Sequence, residues 1–402
     1  MKCLTDLRTE LSSMAVFRDF LSDGVICALC DYLDSPGVSA YSEFVAQLYG
    51  ANGGKLDEYV RDICENNENV YVRAVGKGEK PSELISLATQ REIQTLQKVC
   101  DLTPESLRAP LTWQGFLPQF SSGNIKLEEC FLRRVNNIGK YGYGIYAKNP
   151  MFYVEDDGSI TPVKNPDRIR LSDLVDYEAE RKIVYDNTLA LIKGLPAANL
   201  LLTGDAGTGK SSTIKAVGNE LYGEGLRIIE VKKHQLCAIQ RILDELSDNP
   251  LKFVLFIDDL SFLKDDDNFN ALKAVLEGSV SAKSSNVAIY ATSNRRHIIK
   301  ENFSDREGDE VHRNDTLQEL VSLSERFGLR VNFQKPDKNT FLNIVHQIAQ
   351  SKGVVMPKEE LELKAERFAL ERGARSARLA KQFIDNILSS AVNDQNEKLR
   401  YF

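Results

Sequence analysis

Gly204, Gly209, Lys210 and Ser211 stand at the fixed positions of a G-x-x-x-x-G-K-[ST] pattern within the run GDAGTGKSS. Glycines at this spacing let successive backbone N–H groups turn inward around phosphate oxygens with no Cβ in the path. The whole run, Gly204, Asp205, Ala206, Gly207, Thr208, Gly209, Lys210, Ser211 and Ser212, is therefore the candidate phosphate cradle. Lys210 would neutralise the β- and γ-phosphates and the Ser211 hydroxyl would coordinate Mg²⁺. The start of the following helix would add its partial positive charge. The implied ligand is a nucleoside triphosphate, taken as ATP, with Mg²⁺.

Two further constellations lie downstream. The apolar run in FVLFIDDL ends in Asp258 and Asp259, 48 residues after Lys210. At the tip of a strand, Asp258 is expected to hold the Mg²⁺ shell and Asp259 to orient and activate water. The run NVAIYATSNRR repeats the design with Thr292, Ser293 and Asn294 at its end, where a neutral polar side chain can touch both γ-phosphate and water. Arg295 and Arg296 follow at once, within reach of phosphate or of a neighbouring subunit.

These residues need strands to carry them. The expected strands are Asn199–Thr203, Arg227–Val231, Phe253–Ile257, Val287–Ala291 and Leu329–Phe333, with helical patterns between the first four. That alternation predicts an α/β core over residues 168–333 with a five-stranded parallel sheet, its ligand beyond the strand C-termini. Residues 1–110 read as helices broken by loops. Residues 111–167 read as a connecting segment with a hairpin turning at Asp157-Gly158. Residues 334–402 read as helical.

The chain has 402 residues, 42% hydrophobic and 27% charged, enough for two or three domains with separate cores. No apolar run approaches the ~20 residues of a membrane span. The start MKCLTDLRTELSSM lacks the apolar stretch of a secretory signal, so a cytoplasmic protein is expected, with no membrane partner. Seven scattered cysteines, with Cys27 and Cys30 on one helical face, read as buried reduced thiols. The four histidines are far apart and indicate no metal site. Net charge is −7, with 12 basic and 9 acidic residues in the segment 334–402. No basic stripe marks a dedicated duplex-DNA binder. The acidic loop with Asp305, Glu307, Asp309 and Glu310 reads as a solvated run.

From about Arg168 to Ser390 the chain resembles the AAA+ ATPases. LSDLVDYEAERKIVYDNT looks like the helix that precedes the phosphate loop in that superfamily and covers the adenine. Asn294 matches its sensor-1 position. SLSERFGLRVNF carries S-x-R-F-G, similar to the arginine-finger box of bacterial replication initiators, with Arg326 as the finger. ERGARSARLAKQFIDNI resembles the sensor-2 helix of the lid, where Arg375 fits best and Arg378 is the alternative. The strings TWQGF, FSDREGDEVH, IDDLSF, YATSNRRHIIKENF and SLSERFGL are similar to those of the bacterial AAA+ family known as domain of unknown function 815. This resemblance implies an ATPase that assembles into an ATP-promoted homo-oligomeric ring and remodels a protein or nucleic-acid client. Two departures qualify it. Asp259 stands where many members have Glu, which keeps a nucleotide-gated switch with little turnover as an alternative. The stretch from Lys232 to Pro250 lacks the aromatic–hydrophobic–Gly loop of protein-threading members.

Overall fold

In a computed structural model that describes residues 2–260, 267–277, 285–294 and 325–399, the chain divides into two units between Asn149 and Pro150. The first comprises Met1–Asn149 with the tetrapeptide Asp248–Leu251. The second comprises Pro150–Ser247 with Lys252–Phe402. The expected connecting segment 111–167 is thus shared between them, its hairpin falling in the second.

The first unit is helical: α1 (Lys2–Ser12), α2 (Gly24–Asp34), α3 (Val38–Asn52), α4 (Leu56–Asn66), α5 (Val70–Gly76), α6 (Glu83–Cys100), α7 (Pro104–Arg108), α8 (Leu127–Asn136) and α9 (Ile138–Tyr141). Side chains start several of them by accepting orphan N–H groups. Asp23 caps α2, Asn69 caps α5, Ser82 caps α6, and Thr103 with Ser106 forms a capping box on α7. The core gathers Leu11, Phe17, Tyr32, Tyr41, Phe44 and Phe131, with Phe17 and Phe131 edge to face at 5.7 Å. Cys30, Cys64 and Cys100 are buried, and burial pushes the Cys100 thiol up to about 12. Cys27, expected to be buried beside Cys30, is exposed, because i and i+3 are not the same angle on a helix and only Cys30 reaches the core.

A buried carboxylate ties the unit's first loop down. Glu92 of α6 accepts from the backbone N–H groups of Ala15 (2.9 Å), Val16 (3.0 Å) and Phe17 (2.8 Å). Three amides at a chain turn are thereby satisfied by one charged side chain.

The second unit carries a sheet in the order β2-β1-β4-β5-β6-β3-β7. Its strands are β1 (Met151–Val154), β2 (Ile160–Pro162), β3 (Leu200–Gly204), β4 (Leu226–Glu230), β5 (Lys252–Ile257), β6 (Val287–Ser293) and β7 (Leu329–Phe333). All five expected strands are present and mutually parallel, but the sheet has seven strands rather than five. The hairpin around Asp157-Gly158 supplies the other two: β1 pairs parallel to β4, Phe152 against Ile229, and β2 closes the edge antiparallel to β1. Central strands are apolar on both faces, as in FVLFI of β5, because helices cover both sides. Those helices are α10 (Glu178–Ile192), α11 (Lys210–Leu221), α12 (Ile239–Leu246) and α13 (Asp267–Glu277). After β7 come α14 (Lys338–Ser351), α15 (Lys358–Glu371) and α16 (Ala377–Leu399), with their own core of Phe341, Ile344, Val345, Ala365, Ala380 and Ile384. No described helix is long and apolar enough to cross a membrane.

Replacing Glu92 by Ala strands three N–H donors in a nearly dry site, and should cost about 3 kcal/mol in chemical denaturation of the full chain. A loss below about 0.5 kcal/mol would show that water satisfies these amides instead.

Candidate functional site

The phosphate-loop run leaves β3 at Gly204 and enters α11 at Lys210. Gly204 has φ +136° and lies in register with Phe333 of β7, where a Cβ would come within 2.0 Å of the Phe333 carbonyl oxygen. Gly207 and Gly209 have φ +80° and +95°, and Gly209 is the N-cap of α11. Thr208 is buried and donates to the Asp205 carbonyl (2.9 Å), which fixes the loop's curl. Asp205 and Ala206 are exposed on the outside of that curl, and Ser212 lies half-buried in the first turn of α11. Gly204, Gly207 and Gly209 leave this loop without a Cβ at three positions, which suits the approach of a phosphate chain.

Lys210 is 5% exposed. Its Nζ donates to the carbonyls of Gly204 (2.8 Å) and Asp205 (2.7 Å) and to Asn294 Oδ1 (2.9 Å). Burial lowers its pKa, opposed by the carboxylates of Asp205, Asp258 and Asp259, while the Arg378 charge lowers it further. Asn294 stands just beyond β6 and turns its amide the other way, Nδ2 donating to Asp259 Oδ1 (2.7 Å). One asparagine therefore bridges the loop lysine and the second acid.

The first acid is bound as tightly. Asp258 Oδ1 accepts from Ser211 Oγ at 2.6 Å and from Thr292 Oγ1 at 2.6 Å. Thr292 Oγ1 also accepts the Asp259 N–H (2.9 Å), and its carbonyl accepts the Leu260 N–H (2.7 Å). Asp259 sits at φ +53°, a left-handed conformation costing about 1 kcal/mol for a residue with a Cβ. Thr292 was visible in the sequence only as one of three polar residues ending a strand. Its separate part appears once β5 and β6 are seen side by side, Ile257 against Ala291.

A lead-in segment precedes α10. Asn219 of α11 donates to the carbonyls of Asp167 and Ile169, both at 2.8 Å, and Arg181 of α10 to those of Leu171 (2.9 Å) and Leu174 (2.7 Å). Tyr177, at φ +60°, stacks its ring 5.2 Å from Phe333 and donates to the Gln334 carbonyl (2.5 Å). Burial pushes its phenol up to about 12.

The C-terminal helices reach the loop through the start of α16. The Arg378 N–H donates to the Gly207 carbonyl (3.3 Å), and a Cβ on Gly207 would meet Ser376 Oγ at 3.0 Å and Arg378 Cβ at 3.2 Å. Arg375 is engaged elsewhere, holding Glu366 of α15 by two bonds of 3.1 and 2.9 Å. That bond is the main reason the Glu366 carboxyl lies below its ordinary value. Arg326 pairs with Glu277 at the end of α13, while Glu319, a partner closer in sequence, lies outside the described residues. Arg295, Arg296 and the acidic run at Asp305, Glu307, Asp309 and Glu310 lie outside the described residues.

The sequence model of a family described as "Protein of unknown function (DUF815)" matches residues 147–391. No curated protein matches the chain. Among solved structures, a Thermotoga maritima RuvB point mutant is 16% identical over 56% of this chain and 67% of that one, with a TM-score of 0.39. A second point mutant gives 16% identity, the same coverages and 0.40. The Thermotoga maritima RuvB Holliday junction branch migration motor gives 14% identity over 54% and 71%, with 0.34.

Two glycines of the loop separate by what surrounds them. A Cβ on Gly209 meets nothing within 4 Å, so Gly209→Ala bears only the left-handed penalty, about 1 kcal/mol. Gly204→Ala adds a collision with β7 backbone and should lower the melting temperature well beyond Gly209→Ala. Equal melting temperatures would contradict the tight packing of β3 on β7.

Proposed function

The chain belongs to the DUF815 family, and we propose that its second unit is an AAA+ core that binds ATP with Mg²⁺ and hydrolyses it to remodel a macromolecular client. The observation that carries this reading is the continuous chain of bonds Ser211–Asp258–Thr292–Asp259–Asn294–Lys210, which joins residues from three separate sequence motifs. The donor set fits the ion: a hydroxyl and a carboxylate 2.6 Å apart are hard oxygen ligands of the kind Mg²⁺ takes. Ser211 and Asp258 would hold it. Bound there, Mg²⁺ would neutralise charge on the β- and γ-phosphate oxygens.

The chain's own residues divide the remaining work. The backbone from Gly204 to Ser212 holds the phosphates, and Lys210 turns its ammonium from loop carbonyls toward their oxygens. Asp259 accepts the proton of the attacking water and Asn294 keeps that carboxylate aimed. Arg378, whose N–H lies on Gly207 and whose charge bears on Lys210, is the lid residue we assign to the phosphates. Arg375 instead fastens the lid's own loop to Glu366.

Arg326 is proposed as a group supplied to the next subunit of a ring, after release from Glu277. A guanidinium donated in this way stabilises charge on the transferring phosphoryl group. The client is a protein or a nucleic acid, and the cytoplasm the expected site of action. A second reading, a nucleotide-gated switch with little turnover, is favoured by Asp259, whose short carboxylate is already engaged by Asn294.

Phosphate release by the purified chain tests the reading. Wild type should exceed Lys210→Ala by roughly 10²-fold or more, the scale of losing one preorganised charge at developing negative charge. Equal rates would leave the switch reading in its place. Specific activity should rise with protein concentration, and Arg326→Ala should abolish that rise with a loss of up to ~10³-fold. A flat curve with a normal Arg326→Ala would end the role in trans. Arg378→Ala should weaken ATP binding while Arg375→Ala lowers the melting temperature; the reverse pattern would exchange their assignments.

A further inference from the structure

Among the described residues, Thr292 is the side chain bonded both to the Asp258 carboxylate and to the Asp259 backbone, and nothing in a neutral strand-end threonine requires that. β6 continues two residues past its last pair with β5, and the first of them, Thr292, lies beside Asp258 as Tyr290 lies beside Phe256. Alternation puts Tyr290 and Thr292 on the sheet face covered by α11, the face from which Ser211 approaches. The threonine is 2% exposed, so its bonds face little competition from water.

Each bond has a consequence for geometry. The hydroxyl proton goes to Asp258 Oδ1, the same oxygen that Ser211 binds, and this fixes the carboxylate's rotation between two strands. The hydroxyl oxygen accepts the Asp259 N–H, and the Thr292 carbonyl accepts the Leu260 N–H. Together these bend the chain off β5 and hold Asp259 at φ +53°, which delivers its carboxylate to Asn294. The hydroxyl is used once as donor and once as acceptor, a pairing that valine cannot make and serine can.

We propose that Thr292 is a positioning residue that sets Asp258 for the metal and Asp259 for water through one hydroxyl. The inference rests on reading the site as one for Mg²⁺ and ATP. It adds an uncharged residue on a neighbouring strand that determines where both charges stand.

The test compares wild type, Thr292→Val and Thr292→Ser in the full chain. ATP affinity is measured with Mg²⁺ and in EDTA, alongside phosphate release. Thr292→Val should bind ATP normally in EDTA, yet lose ~10–100-fold of the gain that Mg²⁺ confers, the range for removing a residue that orients a metal ligand. Its kcat should fall by a similar factor with KM for ATP little changed at saturating Mg²⁺. Thr292→Ser should restore both to within about threefold of wild type. Three results would overturn the proposal: an unaltered Mg²⁺-linked gain in Thr292→Val, a serine variant as impaired as the valine one, or loss of ATP binding in EDTA. The last would mean that the residue acts by supporting the fold. Failure of the functional reading shows separately, in wild type. Without an Mg²⁺-linked gain there, both claims fall. With the gain but no turnover, the switch reading stands and the affinity measurements alone decide the role of Thr292.

Discussion

One oxygen, Asp258 Oδ1, accepts two hydroxyl protons at 2.6 Å, from Ser211 at the start of α11 and from Thr292 at the end of β6. The rest of the site depends on this junction. It ties the helix that follows the phosphate loop to two parallel strands. The threonine's second bond then carries the constraint to Asp259, and from there through Asn294 to Lys210. Short bonds to a carboxylate are stronger than neutral ones, and at the buried members Thr292 and Lys210 an unsatisfied group costs more than a satisfied one contributes. The network therefore tends to hold or fail as a unit.

Parallel topology makes the junction possible. β3, β5 and β6 all end at the same edge, so residues separated by dozens of positions in sequence arrive within hydrogen-bond distance. Fixed backbone surrounds them. Gly204 lies where β7 leaves no room for a Cβ, and Gly207 lies where the start of α16 comes closest. The start of α16 thus rests directly on the loop between β3 and α11. A change in the loop therefore has a short physical route to the helices α14–α16.

Much of this was legible in the chain itself. The glycine spacing around Lys210, the apolar strand ending in two acids and the polar tip at Asn294 depend on local pattern, and local pattern survives folding. The five parallel strands β3 to β7 were legible for the same reason. Partnerships between distant segments were not. The hairpin at Asp157-Gly158 was readable, but nothing in its alternation says that β1 will extend the sheet beside β4. Nor does composition tell that Asp248–Leu251, between α12 and β5, belongs with the first unit. In sequence Arg375 fits the sensor-2 position best and Arg378 is the alternative. Only the turn at Gly373, with φ +66°, and the start of α16 at Ala377 leave Arg375 on Glu366 and Arg378 on Gly207. Arg326 finds Glu277, a partner 49 positions away that no spacing rule would single out.

The central claim is that Ser211 and Asp258 form a single metal-holding unit within that network. A double-mutant cycle with Ser211→Ala and Asp258→Asn, read out as Mg²⁺-dependent ATP affinity, tests it most directly. Residues that share one ligand should be strongly non-additive, the double variant losing little more than the worse single one. Losses that simply add would show that the two residues act independently and would contradict the account.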